Sequence, residues 1–477
     1  MAFPNGQSTT RLYNGLVIRL VVAVIVLVSL GVAGSLYINA GNSPGPTIAI
    51  HQPIGFIGGT SHFEVSIDSG DGLLTSATGT VEQNGISHPL FTLSNSTQAN
   101  ITQETETRIR VIGDLTRELY PELAPGPISI VVRASRSVLF GLREQESTAR
   151  LDLEARFDPP RLSVASSFHY INHGGAELVV YHIRPPDAES GVFVGDRFFQ
   201  GYPATAAGVD STDETLRVAL FAVLHDQELN EPIRLYARDA AGNEAEANFD
   251  YRVFPKEFRR SRIPISDGFL DKVVPEIISR SNEFRTLPMP PDAGPLEKYL
   301  AINGGLRRLN AERIRALAAD TADTRLWTGP FRQLANSQVE SGFADHRTYI
   351  YEGRDVDQQV HLGFDLAVTA NVPILAAQAG RVVWADYLGI YGNCVIIDHG
   401  LGLQSLYAHL STIGVQTGDT VGPDDELGRS GMTGLAGGDH LHFATLLNGW
   451  PVNPTEWWDP HWIEDRITRK LRLNQAP

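Results

Sequence analysis

The sequence predicts a mainly β protein with an N-terminal apolar anchor, two β-sandwich domains, a helical connector and a β-rich C-terminal domain. Three observations carry this prediction. Short alternating apolar runs bounded by turn residues recur from residue 46 to residue 254, as in the strands of a sandwich. An uncharged run of 19 residues occupies positions 20–38. Five of the 14 histidines fall between residues 361 and 442, in a stretch with strand-like patterning.

Composition and charge restrict the class of protein. A chain of 477 residues with 42% hydrophobic residues is long enough for about three packed domains. The net charge of −16 argues against a nucleic-acid partner, because phosphate neutralisation needs a basic face. A single cysteine excludes an internal disulfide, and we expect Cys394 to be buried in a strand.

The N-terminal run predicts a membrane anchor. Residues 20–38 are long enough to cross a bilayer. Arg11 and Arg19 precede the run, and no Lys or Arg follows it before Arg108. This asymmetry places residues 1–19 in the cytoplasm and the bulk of the chain outside. A cleaved signal peptide is the alternative, with Val32-Ala-Gly34 as a cleavage site, but its apolar core is normally shorter.

Two successive regions, residues 46–157 and 158–254, have the pattern of small β-sandwiches. Residues 127–133 align with residues 232–238, which indicates two copies of one domain. The turn at residues 239–243 resembles one common in immunoglobulin-like bacterial domains, so both regions are predicted to be immunoglobulin-like. Either they bind wall, lipid or a protein partner, or they act as a spacer. The clearest predicted strands cover residues 47–50, 62–67, 128–132, 149–153, 161–165, 176–181, 216–221, 233–237 and 247–251.

Residues 255–324 change to a helical pattern. Apolar residues recur at helical spacing after Ser266-Asp267, with Pro275 as a point of bending or delay. A second helical tract is predicted at residues 296–319. We interpret this region as a connector that packs on the C-terminal domain, residues 325–460. Within that domain, residues 325–360 alternate again and are expected to build one wall of a cleft.

The histidine-rich stretch predicts a metal site. It contains His361 and Asp365 around Gly363, then His409, and finally His440-Leu-His442. Residues i and i+2 of a strand share a face, so His440 and His442 project together if residues 439–446 form a strand. Glycine at 363 favours an extended segment that enters another strand. Imidazoles and a carboxylate suit zinc, and a site with three protein ligands leaves a fourth position for water. His399 is interpreted as a packed residue.

These motifs, taken with their neighbours, resemble the lysostaphin-type or LytM-domain zinc metallopeptidases over residues 360–454, about a fifth of the chain. The resemblance implies that His361, Asp365 and His442 bind zinc and that His409 and His440 take part in catalysis. The only departures are Asp439, where proline is frequent, and Met432 in a glycine-rich turn. The other matching pieces are Pro373-Ile-Leu-Ala-Ala377, Gly380-Arg-Val-Val383, Tyr391-Gly-Asn393, Ile396-Ile-Asp-His-Gly400, Tyr407-Ala-His-Leu410, Gly418-Asp419, Gly428-Arg-Ser-Gly-Met-Thr-Gly434 and Val452-Asn-Pro454.

The resemblance implies a membrane-anchored zinc endopeptidase that cuts peptide cross-links of peptidoglycan. Together with the predicted anchor, it places the protein in the bacterial inner membrane as a single-pass protein, with its bulk in the periplasm or outside the membrane. The expected partners are the peptidoglycan peptide, the cytoplasmic membrane and an envelope protein bound by the β domains. One alternative is a non-catalytic LytM-type regulator of a cell-wall amidase, which predicts a damaged metal site. Another is a structural or adhesive envelope protein in which zinc only stabilises the fold.

A topology experiment tests the anchor. A reporter fused after Ile265 should be active only outside the cytoplasm, and the chain should sediment with membranes, because the basic residues lie on one side of the apolar run. Protease protection and membrane fractionation measure these two outcomes. Release of a shortened soluble form would contradict the anchor and favour a cleaved signal peptide.

Overall fold

The computed structural model describes residues 8–94 and 99–473 and confirms a mainly β chain with an N-terminal apolar helix. Contacts divide the chain into two compact units. The first contains Met1–Pro159 with Ala240–Asn243, and the second contains Pro160–Asp239 with Glu244–Pro477. Residues 1–7 of the predicted cytoplasmic segment lie outside the described residues.

The N-terminal helix α1 spans Ser8–Gly41. A stretch of 18 residues within Val17–Gly41 has a mean hydropathy of 2.6, and none of its residues is buried within the protein. A helix of this length and composition fits either a membrane anchor or a signal sequence.

The first unit contains a four-stranded sheet in the order β1-β3-β7-β6 and a five-stranded sheet in the order β2-β9-β8-β4-β5. Alternate residues of both sheets share one apolar core, in which the rings of Phe63 and Phe91 stack at 5.9 Å. An immunoglobulin-like identity for this region stays a prediction. The strands are β1 Thr47–Gln52, β2 Phe56–Ile57, β3 Thr60–Asp68, β4 Leu74–Gln83, β5 Ile86–Thr92, β6 Ala99–Gln103, β7 Arg108–Thr116, β8 Gly126–Val138 and β9 Arg143–Ala155.

The second unit begins with a seven-stranded sheet in the order β10-β12-β15-β14-β13-β16-β17, beside a parallel pair of β11 and β18. The strands predicted between residues 161 and 237 are all present. The strand predicted over residues 247–251 is instead divided between β17 and β18. The strands are β10 Arg161–Val164, β11 His169–Asn172, β12 Ala176–Arg184, β13 Glu189–Val194, β14 Arg197–Pro203, β15 Leu216–Ala222, β16 Ile233–Arg238, β17 Glu244–Asn248 and β18 Tyr251–Phe254.

Two helical tracts follow, as the sequence pattern predicts. Helix α2, Asp267–Arg280, begins at Ser266, whose hydroxyl accepts the backbone N–H of Phe269, and it continues through Pro275. Helix α3, Pro295–Ala301, is followed by a π-helical turn at Ile302–Leu306 and then by α4, Arg307–Ala318. Their role as a connector stays a prediction. Strand β19, Arg260–Pro264, precedes them and pairs with β21, Asp345–Tyr351, which pairs with β22, Arg354–His361.

The C-terminal region is built on an eight-stranded sheet in the order β20-β23-β31-β27-β26-β25-β29 with β32 paired to β31, and a small sheet in the order β24-β30-β28. Cys394 is buried in β26, as predicted. The remaining strands are β20 Gln338–Ser341, β23 Phe364–Ala367, β24 Pro373–Leu375, β25 Gly380–Tyr387, β26 Asn393–Gly400, β27 Leu403–Leu410, β28 Thr412–Ile413, β29 Thr420–Val421, β30 Glu426–Arg429, β31 His440–Leu447 and β32 Trp450–Val452; the last helices are α5 Pro454–Trp458, α6 Pro460–Trp462, a π-helical turn Ile463–Thr468 and α7 Arg469–Leu473.

A single apolar core joins the seven-stranded and eight-stranded sheets, so the second β region and the C-terminal region form one folded body. Two buried polar side chains of the C-terminal helices fix this junction. Glu456 of α5 accepts hydrogen bonds from the backbone N–H of Ala176 at 2.8 Å and from Asn172 at 2.9 Å. The Lys470 ammonium of α7 forms a buried ion pair with Glu177 of β12 at 2.8 Å.

Glu456 makes the stability of this unit depend on pH. Burial raises the pKa of Glu456 from 4.5 to about 7 despite its hydrogen bonds. Between these values the folded state holds more protons than the unfolded chain, so stability falls as pH rises, by roughly 3 kcal/mol at about 1.4 kcal/mol per pKa unit. We expect Glu456→Gln to remove most of this slope between pH 4.5 and 7, measured as the unfolding midpoint of the detergent-solubilised chain.

The matched control for that measurement is Glu283→Gln, which changes an exposed glutamate of the same unit and should keep the wild-type slope. An unchanged slope in Glu456→Gln would show that Glu456 does not carry the pH dependence.

Candidate metal centre

Strand β31 is the centre of the site, because its two neighbours present residues to the same place. Asp365 of β23 lies opposite His442, and Ala408 of β27 lies opposite His442 on the other side. His440 and His442 share one face, as the predicted strand required. His361 enters from the end of β22.

His361, Asp365 and His442 converge on one point. The Nε2 atom of His361 lies 2.9 Å from Oδ1 of Asp365 and 3.0 Å from Nδ1 of His442, and that Nδ1 lies 3.0 Å from the same carboxylate oxygen. These three side chains are the one group of potential metal ligands found among the described residues.

The donor chemistry fits a divalent cation. Nδ1 of His361 lies 3.1 Å from the carbonyl oxygen of Gly342, which accepts its proton and leaves a lone pair on Nε2. Nε2 of His361, Nδ1 of His442 and Oδ1 of Asp365 thus face one another at about 3 Å, an arrangement that a metal ion between them stabilises.

Arg347 holds Asp365 in position. Its guanidinium donates to Oδ2 of Asp365 at 2.8 Å, which directs Oδ1 to the histidines, and it also lies 3.6 Å from Asp345. Burial favours the neutral acid at Asp365, but its interactions with the surrounding imidazoles, first His361, outweigh burial and hold its pKa well below the usual range.

Glycine is required at position 363 because the backbone between β22 and β23 passes directly over the ring of His442. A Cβ atom there would lie 2.6 Å from the ring of His442 and 2.7 Å from the carbonyl oxygen of Phe443. Any larger residue would displace His442 or the chain that carries His361 and Asp365.

His409 and His440 lie beside the three candidate ligands, with ring centroids 4.8 Å apart. The Nδ1 atom of His409 donates to the carbonyl of Thr433 at 2.8 Å, and that of His440 to the carbonyl of Gly438 at 3.0 Å. Burial and the nearby imidazoles lower the pKa of His409. Burial opposes protonation of His440 too, but hydrogen bonding to Asp365 outweighs it and raises the pKa of His440.

His409 also has a strained backbone, with φ of +63° at the end of β27. A non-glycine residue in the left-handed region costs on the order of 1–3 kcal/mol and is common at functional sites. The strained turn directs the His409 ring to His440.

The five residues line a cleft of about 350 Å³. Helical-region residues Phe269, Tyr299 and Arg307 form part of its wall. Of the predicted wall at residues 325–360, Glu340, Arg347 and Tyr349 line the cleft. Trp327 and Phe331 do not, because they pack against Trp457 in the core.

The structure brings together all five residues predicted for the site. His399 is packed elsewhere, as predicted, between the carbonyl of Ala379 and Ser405 at 2.7 Å each. The sequence pattern alone did not place Arg347 and Arg307 in the cleft. The Glu352-Gly353 turn between two alternating runs was a usable signal for a hairpin that sets β21 beside β22.

Comparison with known proteins identifies the family of the C-terminal region. Residues 359–454 match the model of Peptidase family M23. This part of the chain is an M23-type peptidase domain. The resemblance to lysostaphin-type metallopeptidases predicted from the sequence is thereby confirmed.

Several relatives of the M23-type domain are known. DD-carboxypeptidase/endopeptidase Mpg of Neisseria meningitidis is 38% identical over 96 residues, which cover 20% of this chain and 22% of that protein. Peptidoglycan DD-endopeptidase ShyA of Vibrio cholerae is 38% identical over 93 residues, again 20% and 22%. The catalytic domain of lysostaphin from Staphylococcus simulans is 25% identical, with a TM-score of 0.24, over 28% of this chain and 98% of that domain. The chain thus spans about a fifth of the length of the curated relatives it matches.

Removal of any one donor should reduce metal binding. His361→Ala, Asp365→Ala and His442→Ala should each lower the content of divalent metal in the purified chain, because one of three protein ligands is lost. Elemental analysis measures this content, and His461→Ala, which changes an exposed histidine away from the cleft, is the control. Full metal content in all three variants would show that these residues are not the ligands.

Proposed function

We propose that the protein is a membrane-anchored zinc endopeptidase that hydrolyses peptide cross-links of peptidoglycan. The observation that carries the proposal is the convergence of His361, Asp365 and His442 in a cleft that His409 and His440 also line. The peptidoglycan DD-endopeptidase activity named for the relative ShyA supports the choice of substrate.

Zinc is the metal proposed for the site, with His361, Asp365 and His442 as ligands. Two imidazole nitrogens and one carboxylate oxygen are a donor set that catalytic zinc commonly takes. Zinc held there would act as a Lewis acid on the scissile carbonyl and lower the pKa of a water that it binds.

The histidines beside the ligands are proposed to move protons. A backbone carbonyl holds Nδ1 of both His409 and His440, so Nε2 is the atom of each ring that can exchange a proton with water or with the leaving amine, and Nε2 of His440 also lies 3.5 Å from Oδ1 of Asp365. The burial of both rings fixes their orientation and excludes bulk water. Imidazoles thus take the place of a carboxylate base.

The remaining parts of the chain support a position at the cell envelope. We infer that α1 anchors the protein in the inner membrane and that the bulk lies in the periplasm or outside the membrane. The region 46–157 and the region 158–254 are proposed as immunoglobulin-like domains that set the height of the peptidase or bind an envelope protein. Residues 255–324 are proposed as the connector to the peptidase.

The test is digestion of purified peptidoglycan by the detergent-solubilised chain. We expect release of cross-linked peptides, loss of this activity with a chelator and its return with zinc. His409→Ala and His440→Ala should keep their zinc but lose activity by about a hundredfold to ten-thousandfold, because each removes a proton-transfer group but no ligand.

His346→Ala is the matched control, because His346 is an exposed histidine of β21 and should leave activity unchanged. Normal cleavage by a folded, zinc-loaded His409→Ala chain would exclude a catalytic role for His409. If the wild-type chain binds zinc and cuts nothing, the non-catalytic regulator of an amidase becomes the better explanation.

A further inference from the structure

Two arginines line the cleft, and they differ in whether a carboxylate balances their charge. Arg347 is neutralised, since it donates to Asp365 at 2.8 Å and lies 3.6 Å from Asp345. Arg307, at the start of α4, has no carboxylate oxygen within 4.0 Å of its guanidinium among the residues that the structure describes.

Arg307 is held in place by a neutral residue. Its Nε donates to the carbonyl of Asn303 at 3.0 Å, and its Nη2 donates to Oδ1 of the same residue at 2.6 Å. Asn303 is itself fully buried and donates to Asp357 at 2.7 Å. A guanidinium has five N–H donors, so these two bonds fix its plane and leave three donors for a ligand.

The position of Arg307 relates it to the metal site. Arg307, Tyr391 and the three proposed ligands line the same cleft. The ring centroid of Tyr391 lies 5.7 Å from that of His442. Arg307, Tyr391 and His442 also line a second, smaller cavity together.

We propose that Arg307 binds a free carboxylate of the peptide substrate and so selects peptides with an anion near the scissile bond. This inference rests on the proposed function and names the substrate class of the same cleft. A fixed, half-buried guanidinium with free donors matches a carboxylate in both charge and geometry. Peptidoglycan peptides offer two such carboxylates, the terminal α-carboxylate and a side-chain carboxylate, and amidation neutralises either one.

The experiment compares synthetic cross-linked peptides that differ only in amidation. Three substrates are used: both carboxylates free, the terminal one amidated, and the side-chain one amidated. We expect the zinc-loaded wild-type chain to lose about tenfold to a hundredfold in kcat/KM when the carboxylate that contacts Arg307 is amidated, the range for a charge-assisted hydrogen bond. The amidated peptide that shows the loss identifies which carboxylate is bound.

Variants assign this preference to Arg307. Arg307→Gln should cut the free and amidated peptides at similar rates, mainly through a higher KM for the free peptide. Arg307→Lys keeps the charge but not the planar fork, and should retain part of the preference. Arg308→Gln changes the exposed neighbour on the same helix and should behave as wild type. Zinc content and unfolding midpoint show that the variants are folded.

Binding measured by calorimetry in the His409→Ala background separates this inference from the proposed function. Cleavage without any preference for a free carboxylate, or a preference that survives Arg307→Gln, overturns the role of Arg307 and leaves the peptidase intact. If no peptide is cut but Arg307→Gln weakens binding of the free peptide alone, the peptidase proposal fails and the carboxylate site stands. Equal binding of the free peptide with and without the Arg307→Gln substitution overturns the site in every case.

Discussion

The pairing register around β31 is the constraint on which the site depends. Asp365 lies opposite His442 through the pairing of β23 with β31, and His409 follows the residue that pairs with His442 from β27. Because side chains alternate between the faces of a sheet, a shift of either pairing by one residue would send a donor to the opposite face. Since β31 is buried along its whole length, that register is fixed by the core as well as by backbone hydrogen bonds.

The groups around the candidate ligands have two roles: one positions the Asp365 carboxylate, and the others orient the imidazole rings. Arg347 occupies one oxygen of Asp365 and leaves the other for the histidines. Backbone carbonyls of Gly342, Thr433 and Gly438 each receive one imidazole proton, so three rings are oriented without a further charged group. The negative charge of the site therefore lies on the Asp365 carboxylate, and backbone carbonyls orient the imidazole rings.

Features that depend on the pattern of a few neighbouring residues could be predicted from the sequence. The strand that carries His440 and His442, the cap of α2 at Ser266 and the burial of Cys394 all follow from periodicity or residue type over a few positions. Features that depend on how separate segments pair or pack together could not be predicted from the sequence. Arg347 reaches Asp365 only because β21 pairs with β22, and Arg307 reaches the cleft because a π-helical turn sets the start of α4. The split of the strand at residues 247–251 likewise reflects two different sheet partners.

The shared core of the second unit limits how its M23-type segment can be exchanged between proteins. The family match ends at residue 454, yet Glu456 and Trp457 immediately beyond it are buried against Ala176 and the core of the seven-stranded sheet. The segment that the family shares is therefore smaller than the segment that packs as one body. Transplanting residues 359–454 alone into another protein would expose apolar surface on both sides of the cut. Recombination that moves this M23-type domain intact must carry its neighbouring β sheet with it.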